Sequence, residues 1–307
     1  MVDGTSEVDT HRPIMVAEVL RHLRPGPGDI AVDCTLGGGG HARALLEHLR
    51  PGGRLIGLDC DPLELPRTVA RLRAEGVGDD EFVAHHGSFR TLPAVLAAHG
   101  QAGVDIILAD LGVSSMQHDT PSRGFSYKHP GPLDLRMDPT CGVTGAERLA
   151  GLDEDSLTDI LTRHADEPHA QVIARILVAR RPTTTHALER LVRLGLAEAR
   201  PALTKADIKL SVRRTFQALR ILVNDEFAAL DDLLAALPAC LRPGGRVVVL
   251  TFHSGEDRRV KQAFRAGHRA GLYAAVATTV VRSTRTETFA NRRASSAKLR
   301  WAVRATS

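Results

Sequence analysis

Aromatic side chains are scarce in this chain: one Trp, two Tyr and eight Phe make up 4% of its 307 residues. Its core must therefore be mainly aliphatic, built from Leu, Val, Ile and Ala. Cysteine is rarer than phenylalanine, and Cys34, Cys60, Cys141 and Cys240 show no C-x-x-C spacing. Four such residues point to reduced thiols in a cytoplasmic protein rather than to a disulfide framework. No apolar run approaches the roughly 20 residues of a membrane helix. The first 13 residues lack the basic and apolar regions of a secretory leader, so none is expected. The 14 histidines are scattered, and neighbouring His85 and His86 alternate to opposite faces of a strand. No metal site is expected. Internal repeats and low-complexity segments are missing too.

What is present is uneven in charge. The formal net charge is +4, yet from Lys205 onward 19 Lys and Arg face 8 Asp and Glu, leaving 21 against 28 before it. A basic segment on such a body suits a polyanionic partner whose phosphates it neutralises; a solvated surface in an arginine-rich protein reads the same way.

Over the first 115 residues, short apolar runs alternate with helical patterns, the order of a parallel sheet. Strands are predicted at 30–36, 54–59, 82–86 and 104–110, with helices at 41–49, 62–75 and 92–98. From 116 to 145 the chain reads as loop, punctuated by Pro121, Gly124, Pro130, Gly131, Pro132 and Pro139. Helical spacing then returns around Leu157, Val172 and Leu188 with no evident strand. Near residue 220 the alternation resumes. Leu230, Leu233, Leu234 and Leu237 share a helix face, a strand at 246–252 follows Pro243-Gly244-Gly245, and 299–305 forms a last strand. The expectation is one α/β domain, residues 1–115 and 215–307, interrupted by a helical domain at 116–214.

The first strand runs through Asp33 into Gly37-Gly38-Gly39-Gly40-His41 and then a helix. Glycines there let a ligand approach the backbone at the carboxyl edge of the sheet. Asp59 ends the next strand, 22 residues beyond Gly37, where an acid accepts hydrogen bonds from both hydroxyls of a ribose. Dinucleotide and S-adenosylmethionine sites share this layout. A dinucleotide loop takes a third glycine where this chain has Ala42, and Asp33 offers an anion for an amino acid's ammonium group. The details favour S-adenosylmethionine. His41 either meets the cofactor's carboxylate or is a surface histidine.

Asp110-Leu111-Gly112-Val113-Ser114-Ser115 follows the fourth strand, at the edge that faces a transferred group. A base amine such as cytosine N4 is a poor nucleophile because its lone pair is delocalised. A carboxylate that accepts its N–H sharpens that lone pair, aims it at a methyl donor and helps take up the released proton. Asp110 is the candidate for this work; a helix cap or an ion pair with an arginine is the plainer role.

At this point the strings become specific. His11-x-Pro13 with Glu18, Gly38-Gly39-Gly40-His41, Asp59-x-Asp61-Pro62 and His86-Gly87-Ser88-Phe89 are followed by the Asp110–Ser115 string with Gln117 and by Arg123-Gly124-Phe125-Ser126. Then come the string from Gly131 to Asp138, Arg214-Thr215-Phe216-Gln217-Ala218-Leu219-Arg220, Phe252-His253-Ser254 and Glu256-Asp257-Arg258. In this order they resemble the bacterial 16S ribosomal RNA cytosine-N4 methyltransferase family (RsmH, formerly MraW), almost end to end. The resemblance implies a Rossmann-like class I methyltransferase sheet with an inserted helical domain, S-adenosylmethionine as cofactor, and ribosomal RNA in the 30S subunit as partner. By the same resemblance Gly39, Gly40, His41, Asp59, Phe89, Asp110 and Gln117 are expected on the cofactor, with Asp110 catalytic. Asp134, Arg136, Asp138, Arg214, Arg220, His253, Ser254 and Arg258 are expected on the RNA side, although the alternating charges of the first three also suit a turn with internal ion pairs.

The departures from the family pattern lie on that RNA side. Where the family has Gly-Glu-Glu-Arg-Phe, this chain has Ala165-Asp166-Glu167-Pro168-His169; where it has His-Pro-Ala-Thr, this chain has Leu210-Ser211-Val212-Arg213. Near the C-terminus Asn-Pro-Arg-Ala-Arg-Ser becomes Asn291-Arg292-Arg293-Ala294-Ser295-Ser296. A methyltransferase of the same lineage with another RNA target, and a non-catalytic RNA-binding assembly factor, therefore stay beside the main reading; a nicotinamide oxidoreductase is disfavoured. Oligomeric state is open, a homodimer included.

Overall fold

The computed structural model describes residues 13–306; His11 lies outside them. Helix α1 (Val16–Leu23) buries Val19 and Leu23 and leads to strand β1 (Ile30–Asp33). β1 stops short of the predicted 30–36 because Asp33 turns the chain. Its Oδ1 accepts the Thr35 N–H at 3.0 Å, a side-chain turn that competes with the ladder. The alternation then runs as expected through α2 (Gly40–Leu49), β2 (Arg54–Asp59), α3 (Glu64–Ala74), β3 (Phe82–His86), α4 (Leu92–Ala98) and β4 (Val104–Asp110).

The stretch read as loop contains α5 (Ser115–Asp119), a 3-10 turn (Pro121–Arg123) and, at its end, α6 (Gly145–Ala150). It is a fitted strap rather than a free loop. Leu133 and Leu135 are buried in it, and Leu135 sits at φ 67, a conformation costing about 1–3 kcal/mol unless neighbours hold it. Asn224 does so, donating from Nδ2 to the Leu135 carbonyl and accepting the Met137 N–H, both at 2.7 Å.

Helices α7 (Glu154–Ala165), α8 (Ala170–Arg180), α9 (Thr185–Ala199) and α10 (Lys205–Asn224) follow without a strand. The boundary expected at 214/215 falls inside α10, whose Phe216, Ala218 and Leu219 still pack with the other helices of this region. The alternation therefore resumes with α11 (Glu226–Cys240), β5 (Leu241–Thr251), α12 (Ser254–Arg269), β6 (Tyr273–Val276), α13 (Arg285–Ala290) and β7 (Lys298–Arg304). β6 went unpredicted because its four residues, largely alanine, carry no alternation signal.

The seven strands form one sheet in the order β3-β2-β1-β4-β5-β7-β6. β1 to β5 are parallel, and β7 inserts antiparallel between β5 and β6. One face is covered by apolar residues of α1, α2 and α3, such as Val19, Leu45 and Leu72. Leu96, Leu233 and Phe264 of α4, α11 and α12 cover the other. A third cluster, from Phe125 to Leu219, is the core of the inserted region. Asp33, Asp59 and Asp110 are the last residues of β1, β2 and β4, so the sheet brings three carboxylates to one edge.

Leu219 is fully buried in the third cluster on the helix that joins it to the sheet. Leu219→Ala is expected to lower stability by about 2–5 kcal/mol, read as a lower urea midpoint. A midpoint equal to that of the parent would mean this joint is not packed as described.

Candidate functional site

The glycine loop is held from beneath by α3. Thr68 donates its hydroxyl to the Gly37 carbonyl at 2.6 Å, and Arg71 donates from Nη2 to Thr68 Oγ1 at 2.7 Å and to the Gly38 carbonyl at 3.2 Å. Gly39 has φ 77, and a Cβ there would lie 2.8 Å from Thr68 Cγ2. At Gly40 a Cβ would lie 2.8 Å from the Pro13 ring. Glycine is thus required at both positions, where the loop enters α2.

Three ionisable groups meet beside the loop. His41 Nε2 lies 3.5 Å from Asp110 Oδ2, an ion-pair distance too long for a good hydrogen bond. Asp33 is fully buried, and burial pushes its carboxyl up to about 6, with His41 pulling the other way. Burial opposes charge on His41, but Asp110, Asp33 and Glu287 outweigh it and hold the imidazole above its ordinary range. Asp33 Oδ2, both His41 ring nitrogens and Asp110 Oδ1 are buried with no hydrogen-bond partner among the described residues. A buried polar atom without a partner costs about 1–3 kcal/mol, so an edge carrying four of them is built for a polar ligand. The set offers carboxylates to an ammonium and to hydroxyls, and the start of α2 to a carboxylate, although the Gly37 and Gly39 N–H groups are already donated to Asp59 and to the Leu36 carbonyl. That fits the amino-acid and ribose ends of S-adenosylmethionine.

The second carboxylate, Asp59, accepts the Gly37 N–H at 2.6 Å and the Asp61 N–H at 2.8 Å, and burial raises its pKa. Asp61, two residues on, is buried and forms a different link. Its Oδ2 accepts from Arg123 Nη1 at 2.7 Å and from Gln117 Nε2 at 2.9 Å. Arg123 then donates to the carbonyls of Arg136 and Met137 at 3.1 and 2.7 Å. Gln117, expected on the cofactor, has its side chain engaged with Asp61 and, through Oε1, with the Ser114 N–H, so it fixes the turn after Asp110. Phe89 opens the 3-10 turn after β3 and rests half-buried on the α4 face of the sheet.

The residues expected on the RNA side are largely engaged with the protein itself. Arg136 pairs with Asp134 through Nε and Nη2, both at 2.8 Å; Asp138 accepts from Thr140 and lies 3.2 Å from His86 Nε2. Arg220 pairs with Glu226 at 2.7 and 2.8 Å, and the carboxylates of Glu226 and Glu256 outweigh its burial. His253 caps α12 by accepting the Glu256 N–H at Nδ1, at 3.4 Å, while its Nε2 lies 2.9 Å from Glu256 Oε1. Ser254 and Arg258 both donate to Asp166 Oδ2, at 3.0 and 2.8 Å, and so pin α12 to the end of α7. Arg214 differs: it is half-exposed and makes no ion pair or side-chain hydrogen bond among the described residues. Arg213, Lys261, Arg282, Arg285 and Arg292 share that condition, whereas Arg259, Arg293 and Arg300 are paired with Asp231, Asp119 and Asp257.

The carboxyl edge thus gathers Gly39, Gly40, His41, Asp59 and Asp110, with Asp33 added, around atoms left open for a ligand. A family model described as the MraW methylase family matches residues 9–305. The chain belongs to that family. Among its relatives, a protein of Agathobacter rectalis called ribosomal RNA small subunit methyltransferase H 1 is 43% identical over 98% of this chain and 87% of its own. A ribosomal RNA small subunit methyltransferase H of Myxococcus xanthus is 44% identical over 83% of this chain and 80% of its own. One of Anaeromyxobacter sp. (strain K) is 42% identical over 94% and 96%. The seven-stranded, mostly parallel sheet agrees with the α/β class expected from the sequence. No helix among the described residues is long and apolar enough to cross a membrane, and no cluster among them is suited to a metal ion.

Sequence reasoning did not assign Asp61, Arg123, Thr68, Asn224 or Glu287. Asp61 and Arg123 stood inside quoted motifs, so the signal was present without the role: their pairing spans 62 residues.

The Asp33 carboxyl supplies a pH test. Its folded pKa of about 6 exceeds the ordinary carboxyl value of 3.8, so the native state holds a proton that the unfolded chain loses between those values. The cost is absent below pH ~4 and complete above pH ~6. Asp33→Asn removes it and is expected to exceed the parent in stability at pH 7 by up to roughly 3 kcal/mol, with the gap closing near pH 4. Urea unfolding at the two pH values checks this. A gap that does not change with pH refutes it.

Proposed function

We propose that this chain uses S-adenosylmethionine to methylate the exocyclic N4 amine of a cytidine in small-subunit ribosomal RNA, near the decoding centre. The observation that carries the reading is Asp110: a carboxylate at the end of β4, with one oxygen facing His41 and the other buried without a partner, beside the glycine loop. Family membership and the relatives' names support the reaction and the RNA class.

S-adenosylmethionine supplies an electrophilic methyl group when bound. The residues for holding it are the Gly39–Gly40 backbone, Asp59 for the ribose hydroxyls, Asp33 and His41 for the amino-acid end, and Phe89 along the adenine. Asp110 accepts an N–H of the target amine, which draws the lone pair toward the methyl group, and is the first acceptor for the proton released. His41 keeps Asp110 oriented and balances its charge. Gln117 acts at one remove by fixing the turn after Asp110.

The target base must leave its stack to reach this buried edge, at a cost of a few kcal/mol that is least in an unpaired loop. The helical region from about 116 to 214 is the part that presents the RNA. Unpaired Arg213, Arg214 and Lys261 suit phosphates, which fix position rather than sequence. The Asp134–Arg136 pair and Asp138 shape the strap around the entrance.

Two of the three departures from the family pattern meet where α10 packs on the turn between α7 and α8: there Ser211 donates to Glu167, a residue the pattern keeps, at 2.9 Å.

Two substitutions separate the roles. Asp110→Ala is expected to abolish methyl transfer from labelled S-adenosylmethionine to 30S subunits lacking their modifications, with cofactor affinity kept within about tenfold. Full activity in this variant would overturn the catalytic assignment. Asp59→Ala is expected to weaken cofactor binding by tenfold or more, roughly 1.4 kcal/mol or above, in equilibrium dialysis; an unchanged dissociation constant removes Asp59 from the ribose. Wild-type protein that binds cofactor but labels no RNA would leave a non-catalytic assembly factor as the reading.

A further inference from the structure

Phe289 on α13 is 92% exposed, while Leu63, the next most exposed large apolar side chain among the described residues, is at 50%. A single exposed apolar residue is ordinary, but its surroundings are not. Phe289 lines a recess of about 550 Å³ together with Ser283, Arg285, Thr288 and Arg292. Arg285 and Arg292 are exposed, and neither has a carboxylate partner among the described residues; nor does Arg282 beside them. The single acid of α13, Glu287, is turned away: its Oε1 accepts the Met15 N–H at 2.6 Å.

The position of α13 adds a second observation. Through Glu287 it is fastened to the start of α1, and Pro13 there packs on Gly40 of the cofactor loop. Glu287 also adds to the negative surroundings of His41. On the other side, Arg293 donates to Asp119 Oδ2 at 2.8 Å, at the end of the helix that follows the Asp110 turn. The recess is thus bracketed between the cofactor loop and the catalytic turn.

We infer that Phe289, with Arg285 and Arg292, is a stacking platform for an unpaired RNA base that flanks the methylated cytidine. This rests on the reaction proposed above. An aromatic face accepts any base, and adjacent guanidinium groups neutralise the phosphates on either side. A protein partner fits poorly, because interface cores are depleted of charge and this apolar spot is one ring surrounded by cations. In a chain with so few aromatics, one left in water beside the active edge is well placed to hold the strand once its neighbour has been flipped out.

The test is fluorescence anisotropy of a labelled twelve-nucleotide single-stranded RNA with wild type, Phe289→Ala, Phe289→Trp and the Arg285→Ala/Arg292→Ala double variant. Phe289→Ala is expected to weaken binding by roughly tenfold or more, and Phe289→Trp to retain it with its new indole fluorescence quenched by RNA. The double arginine variant should flatten the salt dependence by about 1.4 in log–log slope, while Phe289→Ala leaves that slope unchanged. On 30S subunits Phe289→Ala should raise KM and keep kcat and S-adenosylmethionine affinity. Wild-type RNA affinity in Phe289→Ala overturns the inference. So does a parallel loss of cofactor affinity, which marks a structural role, or a change in sedimentation, which marks a contact between copies of the chain. If wild type methylates no RNA but its RNA binding still depends on Phe289, the proposed reaction fails and the platform stands. If methylation proceeds and Phe289→Ala is silent, the platform alone fails.

Discussion

Asp61 and Arg123 form a buried pair at 2.7 Å on which the geometry of the active edge depends. Burying two charges costs several kcal/mol per ion, and the attraction between them offsets this only when the remaining hydrogen-bonding positions are filled. Here most are: Gln117 and the Leu63 N–H complete Asp61, and the carbonyls of Arg136 and Met137 complete one arm of Arg123, whose Nε alone is buried without a partner among the described residues. Removing either partner would strand a charge in a dry place, so the pair is either whole or a liability. While whole, it fixes the end of β2, the turn after Asp110 and the strap from Leu133 to Asp138 as one unit.

The arginines divide into two populations that serve different ends. Arg220, Arg258, Arg259 and Arg300 are paired with carboxylates across element boundaries, and Arg258 joins the inserted region to α12. Their charges are cancelled locally and add little to the field felt at a distance. Arg213, Arg214, Lys261, Arg282, Arg285 and Arg292 keep theirs. The excess of basic residues in the second half of the chain is thus partly mortar and partly an attractive surface, and only the second share steers a polyanion.

Much of the edge was legible because it depends on local order. Strands 54–59, 82–86 and 104–110 are apolar runs bounded by turn residues, and an acid at the last position of two of them announces the ligand-binding end of a parallel sheet. Pairings over long separations were not legible. The bond from Met15 to Glu287 spans 272 residues, and no local pattern encodes it. Nor does sequence distinguish Arg214 from Arg220: both belong to α10, and only the placement of Glu226 neutralises one of them. Asp33 ended its strand three positions early for a reason visible only once its side chain is seen to fold back on Thr35.

α10 is a continuous helix of 20 residues, roughly 30 Å long. From Ile208 to Leu219 it packs among the inserted helices, and its last turn, through Asn224, holds the strap from Leu133 to Asp138. The inserted region is therefore not a cassette that can be lifted out at a loop. Cutting within α10 would expose Phe216 and Leu219 and release the strap together. In any lineage that remodels this region, the inserted helices and the strap from Leu133 to Asp138 would have to be inherited as one block. Change is then more easily tolerated as substitution inside the helical region, as at Ser211 against the retained Glu167, than by swapping the region whole.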